Sequence, residues 1–190
     1  MTKRHMEHPA LRLPAYDRES GALNAIVETP RESRNKFAFD PESWLFRLTA
    51  VLPEGSEFPH AFGFVPSTLG ADGDPLDVMI LMDEPVYPGC LVPARLIGVI
   101  RARQTDRDGE TMENDRLVAL STESHAHSDV KKPDDLTAEF LTEVEQFFVF
   151  YNKARGKEFE PRGWKGPRAA AKLVAAGQTK YRRKRRKTGK

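Results

Sequence analysis

Apolar and polar residues alternate in short runs over the first two thirds of the chain, and turn residues separate the runs. Asn24 to Thr29 (Asn-Ala-Ile-Val-Glu-Thr) is the first, stopped by Pro30. Lys36-Phe37-Ala38-Phe39 follows with both phenylalanines on one face, then Leu45 to Val51, Asp77 to Met82, Leu91 to Arg103 and Arg116 to Leu120. Apolar or alternating runs this short predict strands, and Asp40-Pro41, Pro53-Glu54-Gly55, Pro88-Gly89 and Asp106 to Gly109 supply the turns. The period then changes. From Leu136 the apolar residues fall at Phe140, Leu141, Val144, Phe147, Phe148 and Tyr151, the three-and-four spacing of a helix. Asp134 or Asp135 is placed to cap its start. A second helix is predicted from Pro167, which suits a first turn, through Ala169 to Val174 and to a stop at Gly177. The pattern predicts a mainly β protein with flanking helices (α+β), its core a closed barrel or a sandwich.

Length and charge narrow this picture. A chain of 190 residues buries a sizeable core as one domain. Residues 1–20 are polar, with His5, His8, Pro9, Pro14 and no apolar signal core, so a flexible segment is expected ahead of a domain over 21–178. The single cysteine, Cys90, excludes an internal disulfide framework and points to a reducing compartment. No stretch approaches the roughly 20 apolar residues that cross a bilayer. A cytoplasmic protein with no membrane partner is expected. The net charge of +2 conceals eight basic and no acidic residues between Lys180 and Lys190, which leaves −6 on the rest. Like-charge runs are usually disordered, so 179–190 is expected to be a basic, disordered tail. It reads either as an arm for nucleic acid or an acidic surface, or as a solvated tail that aids solubility. No recognisable module supports a dedicated nucleic-acid reader.

The chemistry concentrates in Asp72-Gly73-Asp74-Pro75-Leu76-Asp77, directly ahead of the apolar run Val78 to Met82. Three carboxylates in so short a turn repel one another unless a cation joins them or one stays protonated. Gly73 and Pro75 make the turn rigid. Carboxylates at the mouth of a buried strand suit a hard divalent ion such as Mg²⁺, which takes oxygen ligands. An EF-hand is excluded by register, since its glycine position falls on Asp77 and its last ligand on Asp83. An acidic surface turn is the bland alternative, and the third aspartate at the strand's entry weighs against it.

Together these residues resemble the family I soluble inorganic pyrophosphatases. Asp72 to Val78 is similar to the family's aspartate signature, and Val27-Glu28-Thr29-Pro30 with Asn35-Lys36-Phe37 to its Glu-x-Pro…Lys-Tyr opening. Phe58 to Pro66 resembles the Tyr-Pro-x-x-Tyr-Gly-Tyr-Ile segment, Arg116-Leu-Val-Ala the Lys-led strand, and Phe147-Phe148…Tyr151 with Gly163-Trp164 the final helix and Trp. The resemblance covers residues 20–177 and implies an OB-like five-stranded closed barrel core with two C-terminal helices, several Mg²⁺ ions and a homo-oligomer. It also implies hydrolysis of pyrophosphate to two phosphates by metal-activated water. Asp72, Asp74 and Asp77 would bind the metals, Asp74 accepting the proton of the attacking water. Glu28 would sit near the metals through water. Lys36 and Arg116 would hold phosphate oxygens, and Tyr151 the phosphate that departs first.

Several positions depart from the family pattern. Ala38 stands for a Glu, and Ala50 for a basic residue, with Arg47 close by. Phe58 and Phe62 replace tyrosines, and Asn152 replaces a Lys, with Lys153 next. The usual downstream pair of metal-binding aspartates falls near Gln104 and Asn114, leaving Asp106, Asp108 and Asp115 as substitutes. Losing two carboxylates suits a weaker metal requirement, a different anionic substrate or reduced activity. Two other functions therefore stand beside the first. One is a catalytically weakened anion-binding or scaffold homologue; the other is a hydrolase of longer polyphosphates or nucleotide diphosphate esters.

Overall fold

The computed structural model describes residues 9–187. Its elements in chain order are the single turn α1 (Pro9–Arg12), then β1 (Leu23–Thr29), β2 (Asn35–Asp40), β3 (Leu45–Val51), β4 (Ala61–Val65), β5 (Leu76–Leu81) and β6 (Leu91–Thr105). After these come β7 (Thr111–Glu113), β8 (Arg116–Ser121), a 3₁₀ turn at Pro133–Asp135, α2 (Ala138–Ala154), β9 (Glu158–Lys165) and α3 (Pro167–Lys187). Strands β1, β4, β5, β8 and β6 pair in that order, and β6 returns to β1, so five strands close into a ring. The β5–β8 pair is parallel and the other four ring pairs are antiparallel. Closure removes the unpaired edges that an open sheet would present.

Strand alternation sorts the apolar residues into two layers. Leu23, Ala25 and Val27 cluster with Val65, Val78, Ile80, Val99, Leu117 and Ala119. Only the interior of a ring brings alternate residues of all five strands together. Ala170 and Val174 of α3 join this cluster. The opposite face of the same strands offers Phe62, Met79, Leu81, Ile100, Val118 and Leu120, which pack with Val144, Phe148 and Tyr151 of α2. β6 serves both layers and is 15 residues long. It shifts register between Leu96 and Gly98 and again between Ile100 and Ala102, and its last turns pair with β7 and β9. β2 and β3 form a separate hairpin, tied to the ring where Thr29 exchanges hydrogen bonds with Phe37.

The closed barrel agrees with the resemblance, and several local expectations are corrected. Strands β4, β7 and β9 carry no clear period-two signal. β4 is buried along its whole length, and β9 contains Pro161 and Gly163 among charged residues. α2 is capped by Thr137, whose hydroxyl accepts from Phe140 N at 3.2 Å, rather than by Asp134 or Asp135. Asp135 is occupied one turn earlier, accepting from Lys131 N and Lys132 N. Residues from Pro9 onward of the segment expected to be flexible are placed on the barrel: Ala15 is fully buried and Asn24 Nδ2 donates to Pro14 O at 2.8 Å.

α3 does not stop at Gly177. A Cβ there would lie 2.8 Å from Leu76 Cδ1 and 3.2 Å from Thr68 Cβ, so this glycine marks close packing rather than a helix end. The basic run expected to be disordered continues the helix to Lys187. Lys and Arg are good helix formers, and adding residues to an existing helix avoids the cost of nucleation. Residues 188–190 and 1–8 lie outside the described part.

Candidate active site

Each ring strand that reaches the site carries its polar residue next to an inward-facing apolar one: Glu28 beside Val27, Asp77 beside Val78, Arg116 beside Leu117. Alternation therefore turns all three outward, at the rim of the apolar layer beneath α2. A cavity of about 900 Å³ opens there. Its walls include Asp72, Asp74, Asp77, Glu28, Lys36, Arg116 and Tyr151, so the sequence-predicted residues are brought to one place. Gln104, Asp106 and Asn114 line it too.

The floor is an ion pair. Lys36 Nζ lies 3.2 Å from Glu28 Oε2, and both side chains are buried. Glu28 Oε1 also accepts from Phe39 N at 2.7 Å, which fixes the carboxylate against β2. Burial pushes the Glu28 carboxyl above its ordinary range, and Lys36 offsets part of that rise. Lys36 Nζ also stands 4.9 Å from the centre of the Phe62 ring. Phe62 thus meets the cation with its π face where a hydroxyl is missing.

One wall is a continuous hydrogen-bonded chain. Arg116 Nη1 lies 2.5 Å from Asp77 Oδ2 and also donates to Asn114 Oδ1. Asn114 Nδ2 donates to Gln104 Oε1 at 3.1 Å, Gln104 Nε2 to Asp106 Oδ1 at 2.7 Å, and Lys157 Nζ lies 3.0 Å from Asp106 Oδ1. Lys157 holds the Asp106 carboxyl below its usual range. The guanidinium of Arg116 sits 5.7 to 5.9 Å from the centres of the Phe62, Phe148 and Phe159 rings. Its Nε is buried without a hydrogen-bond partner.

The loop between β4 and β5 is held differently. Gly70 N donates to Asp74 O at 2.7 Å, Leu76 N to Thr68 Oγ1 at 3.0 Å, and Gly73 takes a left-handed φ of 92°. Asp72 Oδ1 accepts from Asp74 N at 3.1 Å. Partial loss of hydration, then the carboxylates of Asp72 and Asp77, raise the Asp74 carboxyl above its usual range. Among the described residues no three His, Cys, Asp or Glu side chains form a ready-made metal cluster. The three aspartates expected to act together line one cavity, Asp77 paired with Arg116 and Asp72 accepting from Asp74 N. Their chemistry still fits a hard divalent ion. The donors are carboxylate oxygens, and the repulsion felt by Asp74 is what a cation relieves.

Tyr151 closes the side under α2. Its hydroxyl accepts from Arg155 Nη1 at 2.6 Å, and burial raises its pKa, so the phenol stays protonated. Three substitutes proposed from spacing do not reach the site. Asp115 accepts from Ala102 N at 3.1 Å and pairs with Arg101 at 2.8 Å, outside the cavity lining. Asp108 receives Glu110 N in an exposed turn. Arg47 is an exposed partner of Asp40. Asp106 does reach it. Sequence reasoning missed Arg155 and Lys157, which line the cavity in place of the exposed Lys153. The available signal was helical: Arg155 stands four residues after Tyr151.

Comparison with known proteins gives one answer. The family model described as inorganic pyrophosphatase matches residues 25–182. An inorganic pyrophosphatase of Synechocystis is 36% identical over 86% of this chain and 93% of its own length. That of Geobacillus stearothermophilus is 35% identical over 82% of this chain and 92% of its own. The crystal structure of the Thermus thermophilus inorganic pyrophosphatase superposes with a TM-score of 0.81 at 29% identity, covering 91% of this chain and 99% of that one. The chain belongs to the inorganic pyrophosphatase family.

Proposed function

We propose that this chain hydrolyses inorganic pyrophosphate to two phosphates with the help of Mg²⁺. The observation that carries the reading is a single cavity that holds both an acidic loop and the cations Lys36 and Arg116. A polyanion that must approach carboxylates needs divalent ions between them, and its outer oxygens need protein cations. Asp72, Asp74 and Asp77, with Asp106 at the side, are the residues that would hold those ions. When bound, Mg²⁺ neutralises substrate oxygens and acidifies the attacking water.

The chain's own groups do the rest. Lys36, set by Glu28, and Arg116, set by Asp77 and Asn114, hold phosphate oxygens against repulsion. The water oxygen bonds to one phosphorus and passes its proton to Asp74. The bridging P–O bond breaks, and its electron pair leaves with the other phosphate. Asp74 suits the part, since lost hydration, and then crowding by Asp72 and Asp77, make it more basic than an ordinary aspartate before the ions bind. Tyr151, protonated and oriented by Arg155, donates its hydroxyl to the departing phosphate. Such a reaction is governed by positioning and charge, and no protein nucleophile is required.

A weaker metal requirement is the second reading, favoured by one observation: Gln104 and Asn114 carry no charge and are already satisfied within the wall. The deciding assay is phosphate release from pyrophosphate at millimolar Mg²⁺. Release that collapses in Asp77→Ala supports the proposal. Release no greater than that of an Asp72→Ala/Asp77→Ala double variant sinks it.

A further inference from the structure

α3 runs past the stretch that the family model matches, which ends at residue 182. Its last turns are not remote from the chemistry. Leu69 N donates to Gly177 O at 3.1 Å, and Gly177 packs on Thr68 and Leu76, so the helix rests on both flanks of the aspartate loop. One turn on, Tyr181 Oη donates to Leu11 O at 3.2 Å. Positions 177, 181, 184 and 185 fall on one helical face. Tyr181, Lys184 and Arg185 line the same cavity as Asp72, Asp74 and Asp77. The Lys184 charge is close enough to offset part of the rise at Asp74.

Basic residues at a helix end ordinarily complement the macrodipole. That explains their sign and not their direction, since Arg182, Arg183 and Arg186 turn to the other side, around a separate shallow depression. Size also matters. Cavities of roughly 300–1,000 Å³ hold drug-sized ligands, so about 900 Å³ exceeds what a diphosphate fills. At this end the aromatic ring, Tyr181, has one face taken by the Arg185 guanidinium, 5.7 Å from the ring centre. The lining chemistry is that of a chain of phosphoryl groups.

We propose that the C-terminal turns of α3 form a polyphosphate-binding arm of the site, in which Lys184 and Arg185 hold the third phosphoryl group of a linear inorganic polyphosphate whose scissile end lies at Asp72, Asp74 and Asp77. The inference rests on the hydrolase reading above. In the reaction, water bonds to the terminal phosphorus and gives its proton to Asp74. The adjacent bridging P–O bond breaks, and its electron pair leaves with the diphosphate held at the arm. Tripolyphosphate and water thus give phosphate and pyrophosphate.

The test compares tripolyphosphate with pyrophosphate at matched Mg²⁺, on the full chain and on Lys184→Ala/Arg185→Ala. The double substitution is expected to lower kcat/KM for tripolyphosphate at least fivefold more than for pyrophosphate. Equal losses, or no loss for tripolyphosphate, overturn the proposal. Arg182→Ala/Arg183→Ala removes the same charge from the other face and should leave the ratio of the two substrates in place. If it reproduces the loss, the effect is general attraction and the arm is refuted. A second readout needs no turnover: calorimetry in an Asp74→Asn background. Tripolyphosphate is expected to bind at least tenfold tighter than pyrophosphate and to lose that preference when Lys184 and Arg185 are replaced. Absence of any phosphate release defeats the hydrolase reading, while the binding preference still decides the arm. Tight ATP binding that depends on Lys184 assigns the arm to nucleotides and overturns the polyphosphate assignment.

Discussion

The two acidic regions of the cavity are built in opposite ways. Along β5, β8 and β6, Asp77 and Asp106 are each matched by a cation, with Asn114 and Gln104 as neutral links between the two pairs. In the loop ahead of β5, the Asp72 carboxylate accepts from Asp74 N, and the Asp74 carboxyl feels the charge of Asp72. The first region is neutralised by the protein itself. The second stores repulsion that a bound cation relieves. Metal removal should therefore disturb the loop more than the wall, whose Asp77 and Asp106 keep protein cations when the ions leave.

The sharpest way to break this contrast is Asp74→Asn. Loss of a general base typically costs about 10²- to 10⁴-fold in rate, and phosphate release should fall by that order. The same change should stabilise the metal-free protein at pH 7. A carboxyl whose pKa is raised by folding destabilises the fold above that raised pKa, and the penalty vanishes below the unfolded value of about 3.9. The melting advantage of the Asn variant should accordingly be present at neutral pH and gone near pH 3.

Next in size is Lys36→Met, which leaves Glu28 buried without its partner. Removing one member of a buried pair costs about 3–5 kcal/mol, read as a lower denaturant midpoint at neutral pH. Protonation of Glu28 should recover part of the loss as the pH falls, since its pKa is already raised by burial. Metal removal comes third. At Mg²⁺ a hundredfold above its Kd, binding adds about 2.7 kcal/mol, and thermal melts with and without chelator should show a gain that shrinks in Asp72→Asn. Smallest is Asn114→Asp, which restores a carboxylate to the balanced wall. Calorimetry should show Mg²⁺ binding about tenfold tighter. No change there would mean Arg116 absorbs the new charge, which would strengthen the view of the wall as self-neutralised.

The sequence revealed the strands that appear as apolar or alternating runs set off by turn residues. β1, β3, β5, β6 and β8 were legible to within a few residues because runs and turns punctuate them. β4 was hidden because Gly63 interrupts its five-residue run; the glycine is there for close packing, since a Cβ would meet Ile26 O at 1.9 Å. β9 was hidden because edge strands accept Pro and charge. The lining of the candidate site was legible wherever order along the chain carried it: Glu28, Lys36, the three aspartates, Arg116 and Tyr151 share one cavity. Asp106 over Asp115 was not, since spacing alone does not say which carboxylate turns outward and which is used by Arg101. Lys184 and Arg185 were misjudged for another reason. Composition reads a basic run as repulsion, and the contacts of Gly177 and Tyr181 that dock the helix beside the loop lie outside that reading.

The bond from Tyr181 to Leu11 joins segments from opposite ends of the chain beside the aspartate loop. Tyr181→Phe would consequently leave the Leu11 carbonyl without this donor and loosen two distant stretches of sequence at once.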